Sequence, residues 1–120
     1  METPEIPSSI QPDPIRELTE AIKLGKTLAD EARADLIAAT PVLIAAIRHH
    51  SGQSAKVERV LWSCWNDDHQ VNLCSELTGL DAKLARAVLA MISARTHCGG
   101  EADELLRQII SQSGSQPPAT

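Results

Sequence analysis

The fold of this chain is decided by residues 51–66, whose sequence is SGQSAKVERVLWSCWN. Apolar residues recur in this stretch with the spacing of one face of an α-helix: Val57, Val60, Leu61, Cys64 and Trp65. The hydroxyl group of Ser51 or Ser54 can cap the start of the helix, and the Asn and Asp residues that follow favour a turn. The stretch is therefore predicted to be the central helix of a small all-helical domain.

Trp62 lies at the flank of this apolar stripe, about 100° around the helix from Leu61. One interpretation is a core position covered by another helix, since Trp is usually highly buried. The other is an aromatic anchor for a partner protein, because Trp is enriched at interface hot spots. On the second interpretation the partner-binding surface consists of Lys56, Arg59, Trp62, Asp67 and Asp68.

The chain around the central helix resembles a family of small uncharacterised proteobacterial proteins. The resemblance spans about residues 42–92 and is most specific at Gly52-Gln53-Ser54 and at Trp65-Asn66. Members of that family are frequent on plasmids, integrative elements and phage-related islands. Because the family has no established activity, the resemblance implies a mobile-element setting and no catalytic residues.

Length and composition indicate one folded domain. A chain of 120 residues with 42% apolar and 22% charged residues has the composition of an ordinary globular protein. Phe and Tyr are absent, so Ala, Leu, Ile and Val must fill the core, which suits closely packed helices. We expect a disordered arm at residues 1–12, a single helical domain at 13–112 and a disordered tail at 113–120.

Cysteine count and hydropathy indicate a soluble, cytoplasmic protein. Three cysteines, an odd number, without a signal peptide point to free thiols in a reducing compartment. No apolar run approaches the roughly 18 residues of a membrane span. The net charge of −5 disfavours non-specific binding to nucleic acid.

Asp13-Pro14 has the pattern of a helix start. A heptad-like seam of apolar and small residues, spaced alternately three and four apart, follows it. The seam runs from Ile15 to Ala39 and predicts one long helix; two helices that break near Gly25 are the alternative. Its small residues would allow close approach of another helix. That helix could belong to the same chain or to a second copy, so a homodimer through the seam is a further prediction.

The remaining helices are predicted from caps and breakers. Thr40-Pro41 is expected to end the first helix, because the residue before proline is pushed out of the α region, and to start a short helix that reaches His50. Three more helices are expected at residues 73–78, 82–97 and 101–112. The predicted fold is an all-α, compact bundle of five or six helices.

Residues 73–92 contain a short helix, a glycine turn and a longer helix, the layout of a helix-turn-helix. The segment is similar to that of many winged-helix regulators, which place the first residues of the recognition helix in the major groove. Lys83 and Arg86 would then bind DNA. Asp81 and Glu76 would repel the phosphates, and no basic hairpin follows, so DNA binding is the alternative function.

Neither catalysis nor metal binding is predicted. Cys64, His69 and Cys74 recur every five residues, but no C-x-x-C or H-x-x-x-H pair supplies the local chelate usual in zinc sites. Cys64 lies on the apolar face, out of reach of His69 in the turn, and so lacks an activating base. The thiols are therefore expected to be structural, and no cofactor is expected.

The sequence thus favours a non-enzymatic, protein-binding accessory protein of a bacterial mobile element or phage. It would act in the cytoplasm through a helical face on another protein or on its own copy. Inhibition of a host complex fits that setting. The alternative is a DNA-binding regulator that uses residues 73–92.

Overall fold

The structure, a computed structural model, describes residues 13–66 and 68–117. These residues form five α-helices and no strand: α1 (Pro14–Arg48), α2 (Gly52–Trp65), α3 (Leu73–Leu77), α4 (Ala82–Cys98) and α5 (Glu101–Ser113). The predicted all-α bundle of five or six helices is confirmed. The predicted arm at residues 1–12 and the last residues of the tail, 118–120, lie outside the described residues.

Helix α1 is a single helix of 35 residues. The Asp13 carboxylate caps it by accepting a hydrogen bond from the Ile15 amide at 3.0 Å, and Pro14 occupies the first turn, where no amide donor is needed. Gly25 lies inside the helix without breaking it. The prediction of one long helix is therefore confirmed for residues 14–39.

The predicted helix end at Thr40-Pro41 is wrong, because α1 continues through Pro41 to Arg48. A proline inside a helix removes one backbone hydrogen bond and costs roughly 3 kcal/mol. Burial on the opposite face offsets this cost, since Leu36, Leu43 and Ile47 continue one buried stripe across the proline. Pro41 itself is exposed, so water can reach the carbonyl group that has lost its partner.

Helix α2 begins and ends as its sequence predicts. Ser51 and Ser54 form a reciprocal capping box, in which each side chain binds the other residue's backbone amide. Val57, Val60 and Leu61 are fully buried, whereas Cys64 and Trp65 at the end of the stripe are partly buried. This helix therefore lies in the centre of the bundle.

The four long helices form an up-down-down-up bundle. Helices α2 and α4 run in the same direction, since Arg95 near the end of α4 donates to the Cys64 carbonyl at the end of α2, at 2.7 Å. Helix α4 is antiparallel to α1, as the Cys98 thiol near the end of α4 donates to the Ala29 carbonyl at 3.2 Å. Because α2 and α4 are parallel, residues 66–81 must return along the bundle; we call this segment the crossover.

The core consists of aliphatic residues from α1, α2, α4 and α5. The largest side chains that are fully buried are Leu36, Leu43, Ile47, Val57, Val60, Leu61, Val88, Met91, Leu106 and Ile109. No aromatic side chain is among them, as the composition predicts. Helix α2 packs against each of the other four helices, as a central helix should.

The first half of α1, residues 14–28, projects from the bundle, and we call it the α1 extension. Residues 14–27 are all exposed, and Leu28 is the first that is partly buried. The described chain is accordingly elongated, with dimensions of 61 × 34 × 26 Å. No helix in the described part of the chain is long and apolar enough to cross a membrane.

Candidate protein-binding surfaces

Trp62, the predicted aromatic anchor, is half-buried and makes contacts within the molecule. Its indole nitrogen donates a hydrogen bond to the Ser115 hydroxyl group at 3.0 Å. The His69 ring packs against the indole edge to face, with ring centroids 5.4 Å apart. Ser115 also donates to a Glu58 carboxylate oxygen at 3.2 Å. Trp62 therefore holds the crossover and the segment after α5 against α2.

Lys56 and Arg59 also hold the crossover. The Lys56 ammonium group donates to the Thr78 carbonyl at 2.5 Å, and the Arg59 guanidinium group pairs with Glu76 at 2.7 Å. Glu76 is the more buried partner of that ion pair, so loss of Arg59 would leave a poorly solvated carboxylate. Both basic side chains thus have partners on the segment that connects α2 to α4.

The acidic turn is only partly described. Asp68 is exposed, and its amide donates to the Asn66 side chain at 3.0 Å, which closes a local turn. Asp67 lies outside the described residues. Among the described residues of the predicted surface, three of four therefore bind other parts of the same chain.

Lys83 and Arg86, the predicted DNA-binding residues, lie exposed in the first turns of α4. Neither forms an ion pair with another described residue. Both line an open groove of about 560 Å³ between α1 and α4, whose floor is built from alanines and Val42. Asp35 lines the same groove, so the cations share their surface with a carboxylate.

The helix-turn-helix layout is present in sequence order, with α3, Gly79 and α4. Gly79 has φ of +86°, a backbone conformation that favours glycine. Helix α3, however, has only five residues and packs mainly against α2, where Arg59 and Lys56 hold it. Its position is explained by the crossover between two parallel helices.

The α1 extension is the most apolar exposed surface among the described residues. Four large aliphatic side chains are 60–78% exposed there: Ile15, Leu18, Ile22 and Leu24. Ile15, Leu18 and Ile22 follow the same seam that carries Leu36 into the core. The sequence predicted this seam, but it did not show that the first half would lie beyond the helical bundle, exposed in the described part of the chain.

The environment of Cys64 makes its thiol a weak acid. Burial raises the pKa of the Cys64 thiol to about 11, although Arg95 nearby acts in the opposite direction. A thiol with such a pKa is almost entirely protonated at neutral pH and is a poor nucleophile. Within residues 13–66 and 68–117, no three His, Cys, Asp or Glu side chains come together as a metal site would require.

A protein family of unknown function, DUF7673, matches residues 37–112. The match covers more than half of the chain, so the protein belongs to this family. The match begins about two-thirds of the way along α1 and ends in the last turn of α5, so it is wider than the predicted resemblance over residues 42–92. No curated protein and no solved structure matches the chain. The matched region contains the last part of α1 and nearly all of the other four helices, and it leaves the α1 extension and the core residues Ala32 and Leu36 outside.

Proposed function

We propose that this protein is a non-enzymatic binding protein that engages another polypeptide through the α1 extension. The observation that carries the proposal is one apolar face of α1, formed by Ile15, Leu18 and Ile22, whose side chains are 62–78% exposed in the described chain. The proposal keeps the helical-face mechanism predicted from the sequence. It moves the binding surface from α2 to the start of α1.

Two physical arguments support the α1 extension as the binding surface. Exposed apolar side chains that cluster on one face, unlike single scattered ones, are typical of interaction sites. Furthermore, a helix that stands alone in water is marginally stable at about 15 residues, so a partner that packs on its apolar face would also stabilise it. Aliphatic anchors spaced three and four residues apart are what a helix presents to a partner helix or groove.

The contacts of Trp62, Lys56 and Arg59 support this relocation. Each of the three side chains already binds the crossover or Ser115. A partner at that surface would have to compete with these intramolecular bonds. At the α1 extension, a partner would break no hydrogen bond or ion pair with the bundle among the described residues.

A finer proposal places the protein on a bacterial mobile element or phage, where it would act on a host complex in the cytoplasm. Its support is the sequence resemblance around Gly52-Gln53-Ser54 and Trp65-Asn66. The identity of the captured partner would test it directly, since a subunit of a host complex is the expected target.

The binding proposal is tested by capture from the lysate of a bacterial host that also expresses an untagged copy of the chain. The tagged protein is compared with Leu18→Glu/Ile22→Glu and with Ile37→Glu, a matched control on α1 that is 53% exposed outside the extension. We expect a nuclease-resistant protein to be captured by the unmodified chain and the control, and lost with the double variant. Equal capture by all three proteins would refute the proposal.

DNA binding through residues 73–92 is a second candidate, favoured by the exposed Lys83 and Arg86. Capture that disappears after nuclease treatment would favour it. Lys83→Ala/Arg86→Ala should then abolish specific binding and reduce its salt dependence, since both cations would contact phosphate or guanine. Absence of measurable DNA binding by the unmodified protein would end this candidate.

A further inference from the structure

We infer that the groove between α1 and α4 binds an acidic amphipathic helix of a partner protein, whose carboxylates bind Lys83 and Arg86. The groove has a volume of about 560 Å³, and its lining residues belong to the bundle and not to the α1 extension. The inference therefore goes beyond the proposed function and gives the protein a second binding surface, which we call the α1–α4 groove.

The two cations of the α1–α4 groove have no partner among the described residues. Lys83 and Arg86 are exposed and lie one turn apart on α4, and neither forms an ion pair there. Every other arginine donates to a side chain or a backbone carbonyl of the described chain: Arg16, Arg33, Arg48, Arg59, Arg95 and Arg107. Asp81, the carboxylate nearest in sequence, is not part of the lining and caps α4 instead. The guanidinium group of Arg86 is thus available for a carboxylate, which it can bind with two parallel hydrogen bonds.

The shape of the α1–α4 groove suits a helix. Its walls are two antiparallel helices, and its floor consists of small side chains, which allow the backbone of a third helix to approach closely: Ala38, Ala39, Val42, Ala87 and Ala90. Helical walls bond their own backbone groups, so an extended peptide would find no edge to pair with, whereas a bound helix satisfies its own amides and carbonyls. The groove is also too open to enclose a small molecule as ligand pockets do.

The two ends of the α1–α4 groove differ in charge. Because α4 runs antiparallel to α1, Lys83 and Arg86 lie at the end marked by Val42. Asp35 lines the opposite end, about 10 Å away along α1 at 1.5 Å per residue. The groove can therefore hold about two turns of a helix, with two cations at one end and a carboxylate at the other.

This combination favours an acidic helix over nucleic acid. The floor and Leu89, which is 52% exposed, are stabilised by apolar contacts that a phosphate backbone cannot supply. Asp35 and the net charge of −5 would repel phosphates, which carry charge along the whole strand. A partner helix avoids this repulsion when its acidic side chains lie at one end and a neutral or basic side chain lies beside Asp35.

A random peptide library displayed on phage tests the inference. The target is the full chain with Leu18→Glu/Ile22→Glu, so that the apolar face of the α1 extension retains no peptide. We expect enrichment of peptides that combine helical apolar spacing with Asp or Glu toward one end. Dissociation constants of labelled copies of these peptides are then measured by fluorescence anisotropy. A selection that enriches no acidic peptide would overturn the inference.

Charge reversal in the α1–α4 groove should weaken binding of the enriched peptides. Lys83→Glu/Arg86→Glu should raise their dissociation constants at least about tenfold, because attraction is replaced by repulsion. Lys23→Glu/Lys26→Glu is the matched control, since it makes the same change in charge at exposed lysines outside the groove. Equal weakening by the two double variants, or none by either, would overturn the inference.

A second pair of variants tests the shape of the groove. Ala38→Leu fills the floor at an exposed position and should weaken the peptides, whereas Ala55→Leu, at an exposed position of α2, should not. Circular dichroism checks that the variants remain folded. Equal affinity of the two leucine variants would contradict a helix seated between α1 and α4.

Two further measurements separate this inference from the other candidate functions. The unmodified chain should bind the peptides as tightly as the target does, because the groove does not involve the α1 extension; failure of extension-dependent capture would leave this result standing. A labelled DNA duplex is assayed with the same proteins. Duplex binding that is lost with Lys83→Glu/Arg86→Glu but retained with Ala38→Leu would assign the cations to DNA and overturn the inference.

Discussion

One apolar seam runs along both halves of α1, but it is buried in the second half and exposed in the first. In the second half, Leu36, Leu43 and Ile47 are buried against α2, α4 and α5. In the first half, Ile15, Leu18 and Ile22 continue the seam but are exposed (the α1 extension). The contrast shows that hydrophobic periodicity identifies the face of a helix that requires cover, and that it leaves open which element supplies the cover.

The largest expected difference between the two halves is in folding stability. Leu36→Ala should lower the unfolding free energy by about 2–5 kcal/mol, because it leaves a cavity in the core. Leu18→Ala should change it by less than about 0.5 kcal/mol in the monomer, since the side chain is 62% exposed. Urea denaturation at a low protein concentration measures both. Similar losses of unfolding free energy in the two variants would contradict the difference in burial between the two halves of α1.

Substitution of Trp62 tests whether its face of α2 packs against the rest of the molecule, as the second half of α1 does. Trp62→Ala should lower the unfolding free energy by about 2 kcal/mol, since it removes the contacts with His69 and Ser115. Ser115→Ala should cost about 1 kcal/mol. A Trp62→Ala protein that unfolds like the unmodified chain but no longer captures its partner would return the binding surface to α2.

The partly buried thiol of Cys64 gives the stability of the bundle a dependence on pH in the alkaline range. Its pKa is about 11 in the folded chain against 9.0 for an ordinary cysteine, so the folded state holds the proton more strongly. The contribution of this thiol is fully present below pH 9 and is lost as the pH rises through 11, by about 2–3 kcal/mol. Comparison with Cys64→Ser in alkaline denaturation isolates the effect. An equal alkaline loss in both proteins would show that the thiol is not buried.

The smallest effect is expected at Gly25, in the extension. Gly25→Ala should strengthen the helix there by at most about 1 kcal/mol, because the position is helical and open to solvent. In the monomer, slower amide exchange should be confined to residues 14–28. Slower exchange throughout the bundle would mean that the two halves of α1 unfold together.

Most of the fold could be predicted from local sequence signals. Ser51, Asn72 and Asp81 have the side chains of helix caps, and each begins a helix in the structure. Helix α2 follows directly from its apolar spacing. Pro41 was the exception, since α1 continues through it. Apolar residues on both sides of the proline are buried against other helices, and those helices are distant in the sequence.

The binding surface was harder to predict than the fold. Trp62 had the type and the flanking position of an interface residue, but the return of the chain between two parallel helices occupies that flank. The local sequence does not indicate that α2 and α4 run parallel. The seam from Ile15 to Ala39 was visible in the sequence, whereas its division at about Ala29 depends on where α4 ends and α5 begins against α1.

Hydrogen–deuterium exchange along α1, recorded at low and high protein concentration, tests the central claim most directly. At low concentration, residues 32–47 should be protected and the amides of the extension should exchange rapidly. At high concentration, protection of residues 32–47 should be unchanged. An extension as strongly protected as residues 32–47 at low concentration would contradict the claim that the bundle covers only one of the two halves of the seam.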